Sequence, residues 1–146
     1  MGRGRHAQVL AALGFDTFGV DKNFDTVRTA ARDVAKLGLT LRGWCADLTR
    51  PALPRAKFEL IVVARYLQRD LMRAIGDAVV PGGVVIYETF TVNQRALGFG
   101  PTSPDHLLEA GELRACFEGF EMLSYEEVEA PEAVARLVAR KPLAQS

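Results

Sequence analysis

The spacing of apolar positions changes repeatedly along this 146-residue chain, and each change marks an element. Ala7 to Leu13 is rich in good helix formers and is followed by Gly14, a residue suited to the left-handed turn that closes a helix. Phe15 to Val20 alternates aromatic, polar and β-branched side chains as a strand does, and Asp21 closes it. Helical spacing returns in Thr26 to Lys36 through Val27, Ala30, Ala31 and Val34, with Asn23 or Asp25 as cap and Gly38 as stop. Leu39 to Cys45 predicts a second strand, and Ala46-Asp47-Leu48 then enters a loop punctuated by Pro51 and Pro54. Phe58 to Ala64 is the most apolar strand, as expected of one covered on both faces.

Arg69 to Val79 predicts a helix with Leu71, Met72, Ile75 and Val79 on one face, and Pro81-Gly82-Gly83 turns the chain into a strand from Val84 to Tyr87. Glu88 to Pro104 reads as a long polar loop in which Gly98, Gly100, Pro101 and Pro104 forbid a continuous helix. Loops of that length in compact domains are usually functional. A helix from His106 to Phe117, capped by Ser103 or Asp105, precedes two strands, Met122 to Val128 and Ala135 to Ala139. The connection Glu129-Ala130-Pro131-Glu132 is short enough for an antiparallel hairpin. The alternation of strands and helices predicts an α/β domain spanning residues 1–146, and 49% hydrophobic content suffices for one core.

Composition narrows the function. Lys+Arg 18 against Asp+Glu 18 gives no net charge, and the basic residues are scattered, so no nucleic-acid footprint is expected. Cys45 and Cys116 lack the paired spacing of a metal site and read as small core residues of a reduced, cytoplasmic protein. Ala7 to Leu13 is too short to span a membrane, and no cleavage site of a secretory leader follows it.

The candidate chemistry begins at Gly2-Arg3-Gly4-Arg5-His6-Ala7. Glycines opening a helix let backbone N–H groups approach a ligand, and Asp21, about 20 residues on, can accept ribose hydroxyls at a strand tip. On the glycines alone, a nicotinamide dinucleotide fits as well as any other nucleoside ligand. A buried strand ordinarily precedes such a loop, so the chain reads as truncated before its first strand.

These motifs together resemble the class I S-adenosylmethionine-dependent methyltransferases, in particular the small-molecule enzymes of the tellurite-resistance type. Gly2, Gly4 and Arg5 are similar to the end of that family's Cys-Gly-x-Gly-Arg loop. Gly19-Val20-Asp21, Ala46-Asp47-Leu48, Phe58-Glu59-Leu60-Ile61-Val62 and Pro81-Gly82-Gly83 match later segments in order. The resemblance implies a Rossmann-like α/β sheet, mostly parallel with a C-terminal antiparallel hairpin, in the order 3-2-(1)-4-5-7-6, its first central strand missing from this chain.

It further implies S-adenosyl-L-methionine as cofactor. Gly2 and Gly4 would lie at its methionine part, Asp21 at the ribose, Asp47 and Leu48 at the adenine, and Ala64 and Arg65 on the floor, with Arg5 and Lys22 also among the cofactor-binding residues. Tyr87-Glu88-Thr89-Phe90 and the Gly98 to His106 loop resemble the acceptor side, with His106 and Glu88 as candidate bases and Tyr87 or Tyr66 to orient a small-molecule acceptor. Methyl transfer is an in-line displacement driven largely by alignment and exclusion of water, so no metal is required. A homodimer is compatible with this reading, and neither nucleic acid nor membrane enters it.

Plainer roles stand beside these. Asp21 and Asp47 are also turn formers, His6 suits a local hydrogen bond, Arg65 can pair with a surface carboxylate, and Trp44 suits a core position. Two further readings of the whole chain are a non-catalytic remnant that binds cofactor weakly or not at all, and a nicotinamide-dependent oxidoreductase.

Overall fold

A computed structural model describes residues 1–50 and 53–145. They form two compact units, Met1–Ala52 and Leu53–Ser146.

The first unit is a helix followed by a β-α-β crossover: α1 (Arg5–Ala12), β1 (Thr17–Asp21), α2 (Phe24–Ala35) and β2 (Leu41–Cys45). β1 and β2 pair in parallel, with Thr17 opposite Leu41 and Asp21 opposite Cys45. Helix α2 starts two residues earlier than its apolar spacing suggests because Asn23 caps it. The Asn23 carboxamide oxygen accepts from the amides of Asp25 at 2.9 Å and Thr26 at 3.2 Å, satisfying two N–H groups that lack intrahelical partners. Ala7, Ala30, Val34 and Leu41 make the core of this unit, with Met1, Ala11 and Leu39 against it. Two glycines allow the close packing. A Cβ on Gly43 would stand 2.3 Å from Val27 Cγ1, and one on Gly4 would stand 3.0 Å from Ala30 Cβ.

The second unit contains β3 (Phe58–Ala64), α3 (Met72–Ala78), β4 (Val79–Phe90), α4 (Glu112–Cys116), β5 (Glu121–Val128) and β6 (Val134–Arg140). Its sheet has the order β3-β4-β6-β5, with β3 and β4 parallel and β6 antiparallel to both β4 and β5. The C-terminal hairpin forms as expected, and each unit keeps the strand order that the resemblance implied for its part. Tyr87, Phe117, Ile75, Leu107, Leu108, Leu113 and Leu137 fill the core.

Several expectations need correction. The helix placed at Arg69 to Val79 is a 3-10 turn, Arg69–Leu71, followed by α3, and Val79 already belongs to β4. Pro81-Gly82-Gly83 lies inside β4 rather than before it. Gly82 has φ +80° and the pairing with β3 shifts register there, so the segment acts as an irregularity within a 12-residue strand. The loop expected from Glu88 begins only after Phe90 and contains a 3-10 helix, Val92–Leu97.

The helix from His106 to Phe117 shrinks to α4, since Gly111 takes φ +73° and becomes its N-cap while Leu107 and Leu108 are fully buried ahead of it. Strand β3 is half-buried rather than covered on both faces. Cys45 and Cys116 are exposed free thiols, not core residues. Among the described residues, no helix is long and apolar enough to cross a membrane.

Candidate functional site

In the first unit, three segments that are distant in sequence meet at the C-terminal end of the β1–β2 pair. Gly2 and Gly4 take φ +55° and +75°, conformations that side chains disfavour, and Gly4 is the N-cap of α1. Among the described residues, no side chain caps that helix start. Asp21 stands at the tip of β1, where its Oδ1 accepts from the Asn23 amide at 3.0 Å and its Oδ2 lies 3.0 Å from the amino group of Met1. Partial burial opposes ionisation of Asp21. The Asn23 amide, the amino group and the Gly2 amide outweigh it and hold the carboxyl below the ordinary aspartate range. The third segment follows β2: the Ala46 amide donates to the Asp21 carbonyl at 3.1 Å, which sets Asp47 and Leu48 immediately beyond Asp21.

Asp47 itself makes a local turn. Its Oδ1 accepts from Thr49 Oγ1 at 2.6 Å and from the Thr49 amide at 3.0 Å, bonds that keep its exposed carboxyl below the ordinary range. Lys22 is exposed, and its carbonyl accepts from the Cys45 thiol at 3.3 Å. Arg5 and His6 are exposed on the first turn of α1, and Trp44 is half-buried in β2.

In the second unit, the ends of β3 and β4 carry an alternating chain of charges. Ala64 ends β3, and Arg65 after it adopts φ +56°, a left-handed conformation that is strained for a side-chain-bearing residue. The Arg65 amide donates to the Glu88 carbonyl at 2.8 Å, and its guanidinium lies 4.5 Å from the Phe90 ring centroid. Its Nη2 contacts Glu132 at 2.6 Å and Glu88 at 3.1 Å. Glu88 also pairs with Arg136 of β6, which in turn reaches Glu126 of β5 at 3.0 Å. Glu132, Arg65, Glu88, Arg136 and Glu126 thus form one line of alternating sign.

Three further acceptor-side candidates are Tyr87, His106 and Tyr66. Tyr87 is 1% exposed, packs against Phe117 and donates its hydroxyl to the Tyr66 carbonyl at 2.6 Å. Burial pushes this phenol far above the ordinary tyrosine range, and its ring is part of the core. His106 is exposed at the end of a 3-10 turn, and among the described residues no hydrogen bond orients its imidazole. Tyr66 is exposed and donates its hydroxyl to Gln68 Oε1 at 2.5 Å.

The structure adds partners that the chain order hides. Glu132 lies 67 positions from Arg65, and nothing local in either segment announces their pairing. Gln94, wholly buried, donates to the Phe99 carbonyl at 2.9 Å and accepts from the Ala133 amide at 2.8 Å, joining the loop after β4 to the β5–β6 connection. A polar residue inside an expected loop gave no reason to place it in a core.

No protein-family model matches this sequence, and no curated protein matches it significantly. Solved structures do. TehB from Haemophilus influenzae is 18% identical over 96% of this chain and 55% of its own, with a TM-score of 0.79. This chain therefore spans about half of TehB. The [4+2]-cyclase SpnF is 18% identical over 97% of this chain and 72% of its own, TM-score 0.80. A SAM-dependent methyltransferase from Methanosarcina mazei is 17% identical over 98% of this chain and 90% of its own, TM-score 0.77. With the element order and sheet pairings above, these similarities establish that the chain has the Rossmann-like α/β fold found among S-adenosylmethionine-dependent methyltransferases.

Proposed function

We propose that this chain acts as an S-adenosylmethionine-dependent methyltransferase on a small molecule. One observation carries the reading: in a chain with this fold, the Asp21 carboxylate is ionised at the tip of β1, beside the positive-φ Gly2 and the segment after β2. A carboxylate there suits a ribose diol, and Gly2 and Gly4 offer backbone that no Cβ obstructs. The residues present thus fit the adenosyl group. Gly2, Gly4 and Arg5 would bind its amino-acid part, Asp21 and Lys22 its ribose, and Asp47 and Leu48 its base.

When bound, this group supplies a methyl carbon on a positively charged sulfur. The protein's part is to align the acceptor with that carbon and exclude water. The same fold is found in a [4+2]-cyclase, so fold alone does not select methyl transfer, and the assignment rests on the Asp21 cluster.

Calorimetric titration with S-adenosylhomocysteine tests the proposal. Binding is expected, and Asp21→Asn should weaken it about 10- to 100-fold, the loss of charge-assisted hydrogen bonds of roughly 1.5–3 kcal/mol. Absence of binding by the wild-type chain would refute the proposal and leave the remnant reading. Binding of NADH in its place would favour the oxidoreductase reading.

A further inference from the structure

We propose that the crevice between α3 and α4 in the second unit is a separate binding site, and that it takes a small molecule carrying a carboxylate on a planar apolar body. The inference goes beyond the methyltransferase reading and uses none of the residues assigned to the adenosyl group.

A cavity of about 400 Å³ opens in this crevice, a size suited to a small ligand. Its apolar wall is Met72 of α3 together with Phe117 and Phe120 after α4, whose rings meet edge to face with centroids 5.5 Å apart. Met72 and Phe117 are buried, whereas Phe120 is only half-buried and offers a flat apolar surface. Gly76 of α3 keeps the space in front of that ring open. A Cβ built on it would stand 3.6 Å from Phe120 Cζ, so any longer side chain there would enter the cavity.

Charge on the lining is uneven. Arg69 is matched by Glu112, and Asp77 by Arg55. Lys141 and Arg73 also line the cavity, and among the described residues neither has a carboxylate partner. The Lys141 ammonium donates to the carbonyls of Gly76 and Val79, each at 2.9 Å. Those two bonds fix its position at the end of α3 and leave one of its three N–H donors for a ligand. The negative end of the helix offsets part of this charge. Arg73 adds a full one, because it stands three residues before Gly76 and therefore on the same face of α3.

An oriented ammonium and a neighbouring guanidinium thus stand beside an aromatic surface. A carboxylate matches both donors, as a point contact to Lys141 and in the fork of Arg73. A planar apolar body attached to it covers Phe120 and Met72. An inorganic anion would leave the apolar wall uncovered, and a neutral arene would leave both cations unmatched.

The test is calorimetric titration of the full chain with 2-naphthoate and with 2-naphthamide, its neutral counterpart. Saturable binding of naphthoate is expected, with naphthamide at least about tenfold weaker for want of charge-assisted hydrogen bonds. Arg73→Glu should weaken naphthoate about tenfold by reversing an exposed charge. Gly76→Leu should abolish binding by filling the space before Phe120. Both variants keep the carbonyls that hold Lys141, and leucine favours a helix more than glycine does. A second readout locates the site. Cys116 lines the cavity as an exposed free thiol, and Cys45 in the first unit is exposed as well. Naphthoate should slow alkylation of Cys116 by iodoacetamide and leave that of Cys45 unchanged, as read by peptide mass spectrometry.

No binding of naphthoate would overturn the inference, and so would naphthamide binding as tightly. Binding that persists unchanged in both variants, or that leaves Cys116 unprotected, would overturn it too. Titration with S-adenosylhomocysteine tests the methyltransferase reading separately, so the two can fail independently.

Discussion

Gly4→Ala tests the packing of the glycine loop without reference to any ligand. Gly4 is buried at φ +75°, and a Cβ built there stands 3.0 Å from the Cβ of Ala30, itself 1% exposed on α2. Two costs follow. The left-handed conformation costs a side-chain-bearing residue about 1–2 kcal/mol. Forcing a methyl group into a filled core adds roughly 1–3 kcal/mol. The single variant should therefore lose about 2–5 kcal/mol.

Ala30→Gly alone should lose about 2 kcal/mol, from poorer helix propensity and one buried methyl group. In the double variant the new methyl occupies the space that Ala30 vacates. The packing cost falls away while the φ cost stays, and the two substitutions should couple favourably by about 1–2 kcal/mol. Trp44, the chain's single tryptophan, lies in β2 of the same unit, so its fluorescence during urea unfolding reports this unit. Additive losses within about 0.5 kcal/mol would refute the reasoning, because the two side chains would then not compete for one space.

Three other outcomes are expected. Gln94→Ala should destabilise the second unit by roughly 2–3 kcal/mol, because the Phe99 carbonyl and the Ala133 amide each lose their partner; thermal unfolding of the purified variant would show it. Tyr87→Phe should cost only about 0.5–1.5 kcal/mol, the net worth of the hydroxyl's bond to Tyr66, and leave the pH profile of methyl transfer unmoved; a displaced profile would return Tyr87 to the chemistry. Glu112 is hydrogen-bonded to Arg69, which holds its carboxyl below the ordinary glutamate value despite the opposing effect of burial. Its folded-state pKa being depressed, the stability it contributes is present above the unfolded value and drains as pH falls through the folded one. Urea midpoints measured from neutral to acid pH should show a shallower acid loss in Glu112→Gln.

The sequence by itself determined the parts of this protein governed by local rules. Period-two and helical spacing located most strands and helices, the cap of α2 was narrowed to Asn23 or Asp25, and the short Glu129 to Glu132 connection foretold the hairpin. The left-handed backbone at Gly2 and Gly4 and the strand-end position of Asp21 were legible because spacing encodes backbone freedom and strand ends. Asp47 was legible as a turn former, and Arg65 as a partner for carboxylates, although not for which ones.

Tertiary structure decided the rest, because those outcomes depend on which distant segments become neighbours. Tyr87 looked like an acceptor-side residue at a strand end, yet strand alternation turns it inward onto Phe117 and Tyr66. Glu88, one position on and facing the other way, meets Arg65 and Arg136, residues 23 positions before it and 48 after. Gly111 delays the start of α4, and Leu107 and Leu108 are buried ahead of it, a trade between local continuity and core packing that local propensity does not register. The pattern of residues specified the elements; which charges meet, and which groups are left to do chemistry, depended on contacts the pattern does not contain.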